Sequence, residues 1–137
     1  LAEERRGVDA EAFARAYDEF RTVNRRFKSL VSEWQLKNGE PNDHGDADYD
    51  AAVLGRLDDI HEAVLPILAT AIAQLPRLDV YSAKLSAALA KIHAGDTIWF
   101  TRPLVDSYHT VWFELHEELI GAAGLTREDE ASAGHAG

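Results

Sequence analysis

A chain of 137 residues, 46% of them hydrophobic, has the size and composition of one globular domain able to bury its own core. Its net charge of −10, from 24 acidic against 14 basic residues, opposes binding to phosphate backbones. The absence of cysteine removes disulfides, zinc–thiolate sites and thiol catalysis.

No apolar run reaches the length of a bilayer span and no signal-peptide pattern opens the chain, which predicts a cytoplasmic protein without a membrane partner. The chain starts at Leu1 and holds no methionine, which points to a piece of something longer. Residues 1–7 read as the tail of an upstream helix or a linker, with Gly7 placed just past a helix C-terminus. The helical domain proper then covers 8–125.

Asp9 is an N-cap candidate, and Val8 and Phe13 are spaced for a hydrophobic staple around it. From there Phe13, Tyr17, Phe20, Asn24, Phe27, Val31 and Trp34 recur at alternating steps of four and three. This heptad-like seam predicts one long helix over 9–37, with Asn24 as its single polar member. Asn38-Gly39 followed by Pro41 stops it. Residues 39–48 read as a loop rich in Gly, Pro, Asn and Asp. The Asp46-x-Asp48-x-Asp50 spacing has the opening of a calcium loop, yet Ala51 replaces the required glycine and Leu57 the bidentate glutamate. A solvated loop with an N-cap at Asp46 or Asp48 is the better reading.

The second predicted helix, 49–75, carries two adjacent apolar stripes, and Pro66 inside it predicts a kink or break by freeing the carbonyl of Glu62. His61 lies on an inward stripe one turn earlier. Pro76 opens a third helix over 76–93, with Leu78, Tyr81, Leu85, Leu89 and Ile92 inward and Gly95 ending it. Ile98, Trp99 and Phe100 follow as an aromatic and aliphatic plug for one end of the helices. A fourth helix is predicted from Arg102 or Pro103 to Ala123. Leu104, Tyr108, Val111, Leu115 and Leu119 form one stripe, and Val105, His109, Trp112 and His116 its neighbour. Apolar groups on two stripes demand a covered, central helix. Thr126 and Asp129 are spaced like a capping box, and the tail 126–137 reads as frayed. The fold class is all-α, an antiparallel four-helix bundle with a long first helix and a Pro-kinked second one.

In such a bundle Asn24, His61, His109 and His116 converge on a similar level of the core. Buried polar groups need partners. Three readings account for them. The first is a hydrogen-bonded network that fixes helix register. The second is a small-molecule pocket oriented by Asn24, His61, His109 and His116 and walled by Phe27, Tyr108, Trp112 and Trp34. The third is a metal site, for which histidines seven residues apart are poorly spaced. No nucleophile elbow or phosphate loop is present, so no catalytic residues and no cofactor are assigned.

Asn24-Arg25-Arg26-Phe27-Lys28, Trp34-Gln35-Leu36, Pro41-Asn42-Asp43-His44 and the run from Val105 to Glu117 resemble a conserved helical domain of actinobacterial proteins. That domain is associated with pyruvate phosphate dikinase-like proteins and often follows a short winged-helix, MarR-like segment. The resemblance extends from Leu1 to about Asp129. It implies a non-catalytic effector domain of a transcription regulator that senses a small ligand, dimerises with a second copy, and leaves nucleic-acid contact to the other segment. The alternative is a small helical metalloprotein or enzyme that uses His61, His109 and His116.

Overall fold

In a computed structural model, described over residues 10–122, the chain is mostly helical, with four α-helices and one very short hairpin. The expected features at Gly7, Asp9 and Val8, Thr126 and Asp129, and the tail 126–137 lie outside the described residues.

Helix α1 (Ala10–Gln35) buries every member of the predicted seam, Asn24 included, and Ala16, Val23 and Leu30 widen that face. It ends two residues earlier than its periodicity predicts. Strands β1 (Leu36–Lys37) and β2 (Glu40–Pro41) pair antiparallel, with Lys37 opposite Glu40. Asn38 and Gly39, at φ +55° and +80°, form the two-residue connection. Both central residues at positive φ make a type I′ turn, whose twist suits a tight hairpin and for which Asn-Gly is the favoured pair. The dipeptide therefore folds the chain back as well as stopping the helix.

The last carbonyls of α1 lack partners within the helix and are taken up by the loop that follows. The Asn42 backbone N–H donates to Gln35 O at 2.9 Å, and Asn42 Nδ2 donates to Trp34 O at 2.9 Å. The Tyr49 hydroxyl lies 2.8 Å from Glu33 O and 3.0 Å from Leu36 O. His44 completes the tie. Its ring stands 4.5 Å from that of Trp34 and its Nδ1 is 3.0 Å from Asp50 Oδ2.

Helix α2 (Ala47–Gln74) starts at the N-cap Asp46, whose carboxylate accepts from Tyr49 N at 3.1 Å. It runs through Pro66 without the expected break. Pro66 and Glu62 are both exposed, so the carbonyl that proline leaves unbonded faces water and one lost bond does not end the helix. A 3₁₀ turn, Pro76–Leu78, precedes helix α3 (Asp79–His93), so the proline opens a turn rather than the α-helix itself. Gly95 at φ +100° closes α3 in a Schellman pattern, with Gly95 N donating to Ile92 O and Asp96 N to Lys91 O.

Helix α4 (Tyr108–Ala122) begins five or six residues later than its apolar stripes predict. Leu104 is the reason. It sits in the left-handed region at φ +67° with its side chain 99% exposed, so it interrupts the helix and belongs to no inner stripe. Val105 precedes the helix too. Ser107 becomes the first-turn acceptor, 3.3 Å from Thr110 N, while its own hydroxyl donates to Arg102 O at 2.7 Å. Of the rest of the double stripe, Tyr108, Val111, Trp112, Leu115, His116 and Leu119 are buried as predicted, whereas His109 is only half-buried. Apolar residues of all four helices and Phe100 join one core. Phe100 fills one end of it, 5.2 Å from the Trp34 ring and 6.4 Å from that of Phe27, whereas Ile98 remains exposed.

Tyr49→Phe removes a hydroxyl shared by the carbonyls of Glu33 in α1 and Leu36 in β1 and is expected to lower the unfolding free energy by about 1–2 kcal/mol in urea denaturation. Leu104→Asn replaces an unpacked side chain by one that tolerates positive φ and is expected to raise it by about 0.5–1 kcal/mol.

Candidate functional site

Among the described residues, four polar side chains lie buried in the core: Asn24, His61, Ser107 and His116. Ser107 belongs to the start of α4. The other three divide into two groups.

The first group forms where the middle of α1 meets α4. Trp112 Nε1–H donates to Asn24 Oδ1 at 3.0 Å, and both residues are almost wholly enclosed. The indole is sandwiched by two α1 aromatics, Phe20 and Phe27, that lie two turns apart. Its ring centroid is 4.4 Å from Phe27 with planes 23° apart, and 5.1 Å from Phe20 at 26°. His116, one turn along from Trp112, packs 5.4 Å from Phe20 and 6.3 Å from Tyr17. His109, on the preceding turn, stands 5.9 Å from Phe27. These residues follow from helical spacing, since α1 offers a residue to α4 at each three- or four-residue step.

A groove of about 190 Å³ opens at this junction, lined by Asn24, Phe27, His109, Trp112 and His116 among the expected site residues. Lys28, Ser32 and Phe113 also line it. Lys28 and Ser32 lie four and eight residues after Asn24, so the helical repeat could have flagged them. Their polarity placed them outside the apolar seam instead. Phe113 is 44% exposed and extends the aromatic wall to the surface.

Asn24, Lys28, Ser32, His109 and His116 give the groove its polar character. Among the described residues the Asn24 side chain makes a single hydrogen bond, through its oxygen, and its NH₂ group makes none. The His109 ring makes none. Burial lowers the pKa of His109, so the imidazole is neutral near pH 7 and presents one donor and one acceptor. The arrangement is a stacked aromatic surface with a donor and a donor–acceptor group at its edge. It suits binding of a flat, largely apolar molecule.

The second group lies behind the wall of that groove, where the Tyr108 ring packs 5.7 Å from that of Phe27 and 6.0 Å from that of Trp112. His61 Nδ1 is 2.9 Å from the Tyr108 hydroxyl, the two rings meeting edge to face at 5.8 Å. Neither residue lines the groove. Burial lowers the His61 pKa, an effect opposed in part by the charge of Asp58, and pushes the Tyr108 hydroxyl far above its usual range. A neutral imidazole therefore faces a phenol that stays protonated, and each satisfies the other. Of the seven expected site residues, five share the groove and His61 and Tyr108 form this separate pair.

Asp58 also meets His93, 2.6 Å from its Nε2, at the surface. Among the described residues no group of three or more histidine and carboxylate side chains is placed to hold a metal ion. No described helix is long and apolar enough to cross a membrane. No family model, curated protein or solved structure matches the chain.

Both depressed histidines set a pH dependence. The unfolded chain takes up protons near pH 6.5, whereas the folded chain holds His61 and His109 neutral to lower pH. Their contribution is fully present above pH 6.5 and is lost as pH falls below it. Urea midpoints are expected to decline from pH 7 to pH 5.5, and His109→Gln is expected to flatten that decline.

Proposed function

We propose that this chain is the ligand-sensing and dimerisation domain of a transcription regulator, an antiparallel four-helix bundle of the cytoplasm that does no chemistry itself. The small-molecule site is the groove between α1 and α4. The observation that carries this reading is the uncommitted polarity beside the Phe27–Trp112 stack: the Asn24 NH₂ and the His109 ring have no other hydrogen-bonding duty among the described residues. The resemblance of the segments around Asn24, Trp34, Pro41 and Val105 to a helical domain that follows a winged-helix segment supplies the regulatory part. The charge of −10 supports leaving DNA contact to such a segment.

Ligand binding in this groove reaches both α1 and α4, so occupancy favours one spacing of the two helices over another. Such a differential effect is what a sensor transmits. Dimerisation provides the second requirement, because paired effector domains place two DNA-binding segments at a fixed separation.

Benzamide, a flat ring with a donor and an acceptor, is a suitable probe. Its titration is expected to move the Trp112 indole N–H resonance saturably and those of Trp34 and Trp99 little. His109→Ala is expected to weaken binding at least tenfold with helical content unchanged by circular dichroism. A Trp112 resonance indifferent to benzamide and to a panel of similar aromatic amides and acids would falsify the groove as the sensing site. A monomeric mass by light scattering at 100-micromolar-order concentration would remove the dimer.

A further inference from the structure

A larger cleft, about 420 Å³, runs between α1 and α2 and has no residue in common with the aromatic groove. Its floor is apolar, made by the buried Leu30 and Ile60. One end is closed by the ion pair of Arg56 and Glu33, at 2.6 Å. The α1 wall carries Arg25 and Arg26, and the α2 wall carries Asp59.

The pairing of these charges is informative. With 24 acidic residues available, most described arginines have found a carboxylate: Arg15 meets Glu11, Arg21 meets Asp18, Arg56 meets Glu33 and Arg77 meets Glu118. Among the described residues Arg25, Arg26 and Arg102 have none, and Arg25 reaches no more than the Thr22 hydroxyl at 3.5 Å. Two of these three line the same cleft. Asp59 lacks a cationic partner as well, although two guanidinium groups stand across the cleft from it. Beside the Arg56–Glu33 pair, two guanidinium groups on α1 and one carboxylate on α2 thus line the cleft without a charge partner among the described residues.

We propose that this cleft is a binding site for a small aliphatic amino acid. The carboxylate would lie against the Arg25 and Arg26 guanidinium groups, whose planar donors match its two oxygens. The ammonium would face Asp59, and the aliphatic side chain would cover Leu30 and Ile60. Exposed ion pairs attract weakly and are screened by salt, so binding is millimolar and strongest at low ionic strength. The site is independent of the aromatic groove.

Leucine is the probe, followed in ¹H–¹⁵N spectra at low salt. Saturable shifts are expected for amides in 25–33 and 56–60. On the unmodified chain, 4-methylpentanoate, which lacks the ammonium, and isopentylamine, which lacks the carboxylate, are each expected to bind at least tenfold more weakly. Asp59→Asn is expected to reduce leucine to the level of 4-methylpentanoate, and the Arg25→Gln, Arg26→Gln double variant to remove the response. All three positions are exposed, and circular dichroism checks that the helices persist. Absence of a saturable response to leucine overturns the proposal. So does 4-methylpentanoate binding as tightly as leucine, which would make the cleft a plain anion site. Both criteria rest on the unmodified chain, so they hold even if a variant unfolds.

Discussion

The hydrogen bond from Trp112 Nε1–H to Asn24 Oδ1 is the constraint to which the interior is fitted. An indole N–H and an amide oxygen placed in an apolar core each cost roughly 1–3 kcal/mol if left unpaired. Pairing is satisfied at one register of α1 against α4, and a shift of either helix by one turn would strand both groups. The aromatic residues follow from that register. Phe20 and Phe27 lie seven residues apart on α1, and the indole fits between them. His109 and His116 flank Trp112 on adjacent turns of α4 and are carried to either side of the same junction. A polar bond inside the core thus sets both the packing and the position of the groove.

The fold's legibility in sequence varied with the physics of each segment. The α1 seam was plain because every third or fourth residue is large and apolar, and all of them are buried. The start of α4 was not, because Leu104 and Val105 satisfy the apolar repeat while the backbone at Leu104 turns left-handed. Periodicity reports which residues could share a face; it carries no information on whether the backbone there is helical. The hairpin was hidden for a related reason. Asn38-Gly39 was read as a stop signal, and two-residue strands are too short to show alternation. At the site, Asn24, Phe27, His109, Trp112 and His116 were found together because they fall near the mid-level of two helices that meet. His61 and Tyr108 were grouped with them on the same ground, yet they turn to each other instead. Spacing along one helix cannot specify which neighbour a given face meets.

The segment after α1 shows how a polar loop becomes part of a rigid frame. Asn42, His44, Tyr49 and Asp50 spend their hydrogen bonds on one another, on the helix-end carbonyls of Glu33 and Trp34, and on the carbonyl of Leu36 in β1. The loop is thereby held against Trp34, and the angle at which α2 leaves α1 is held with it. The mouth of the α1–α2 cleft depends on that angle.

Asn24 and Trp112 are 88 residues apart in the chain. Closing so long a segment is entropically costly, whereas the contacts of α1 with α2 and of α3 with α4 join neighbours. The helix pairs are therefore expected to assemble first, with the aromatic junction closing between them later. During synthesis the groove between α1 and α4 cannot form until α4 has cleared the ribosome.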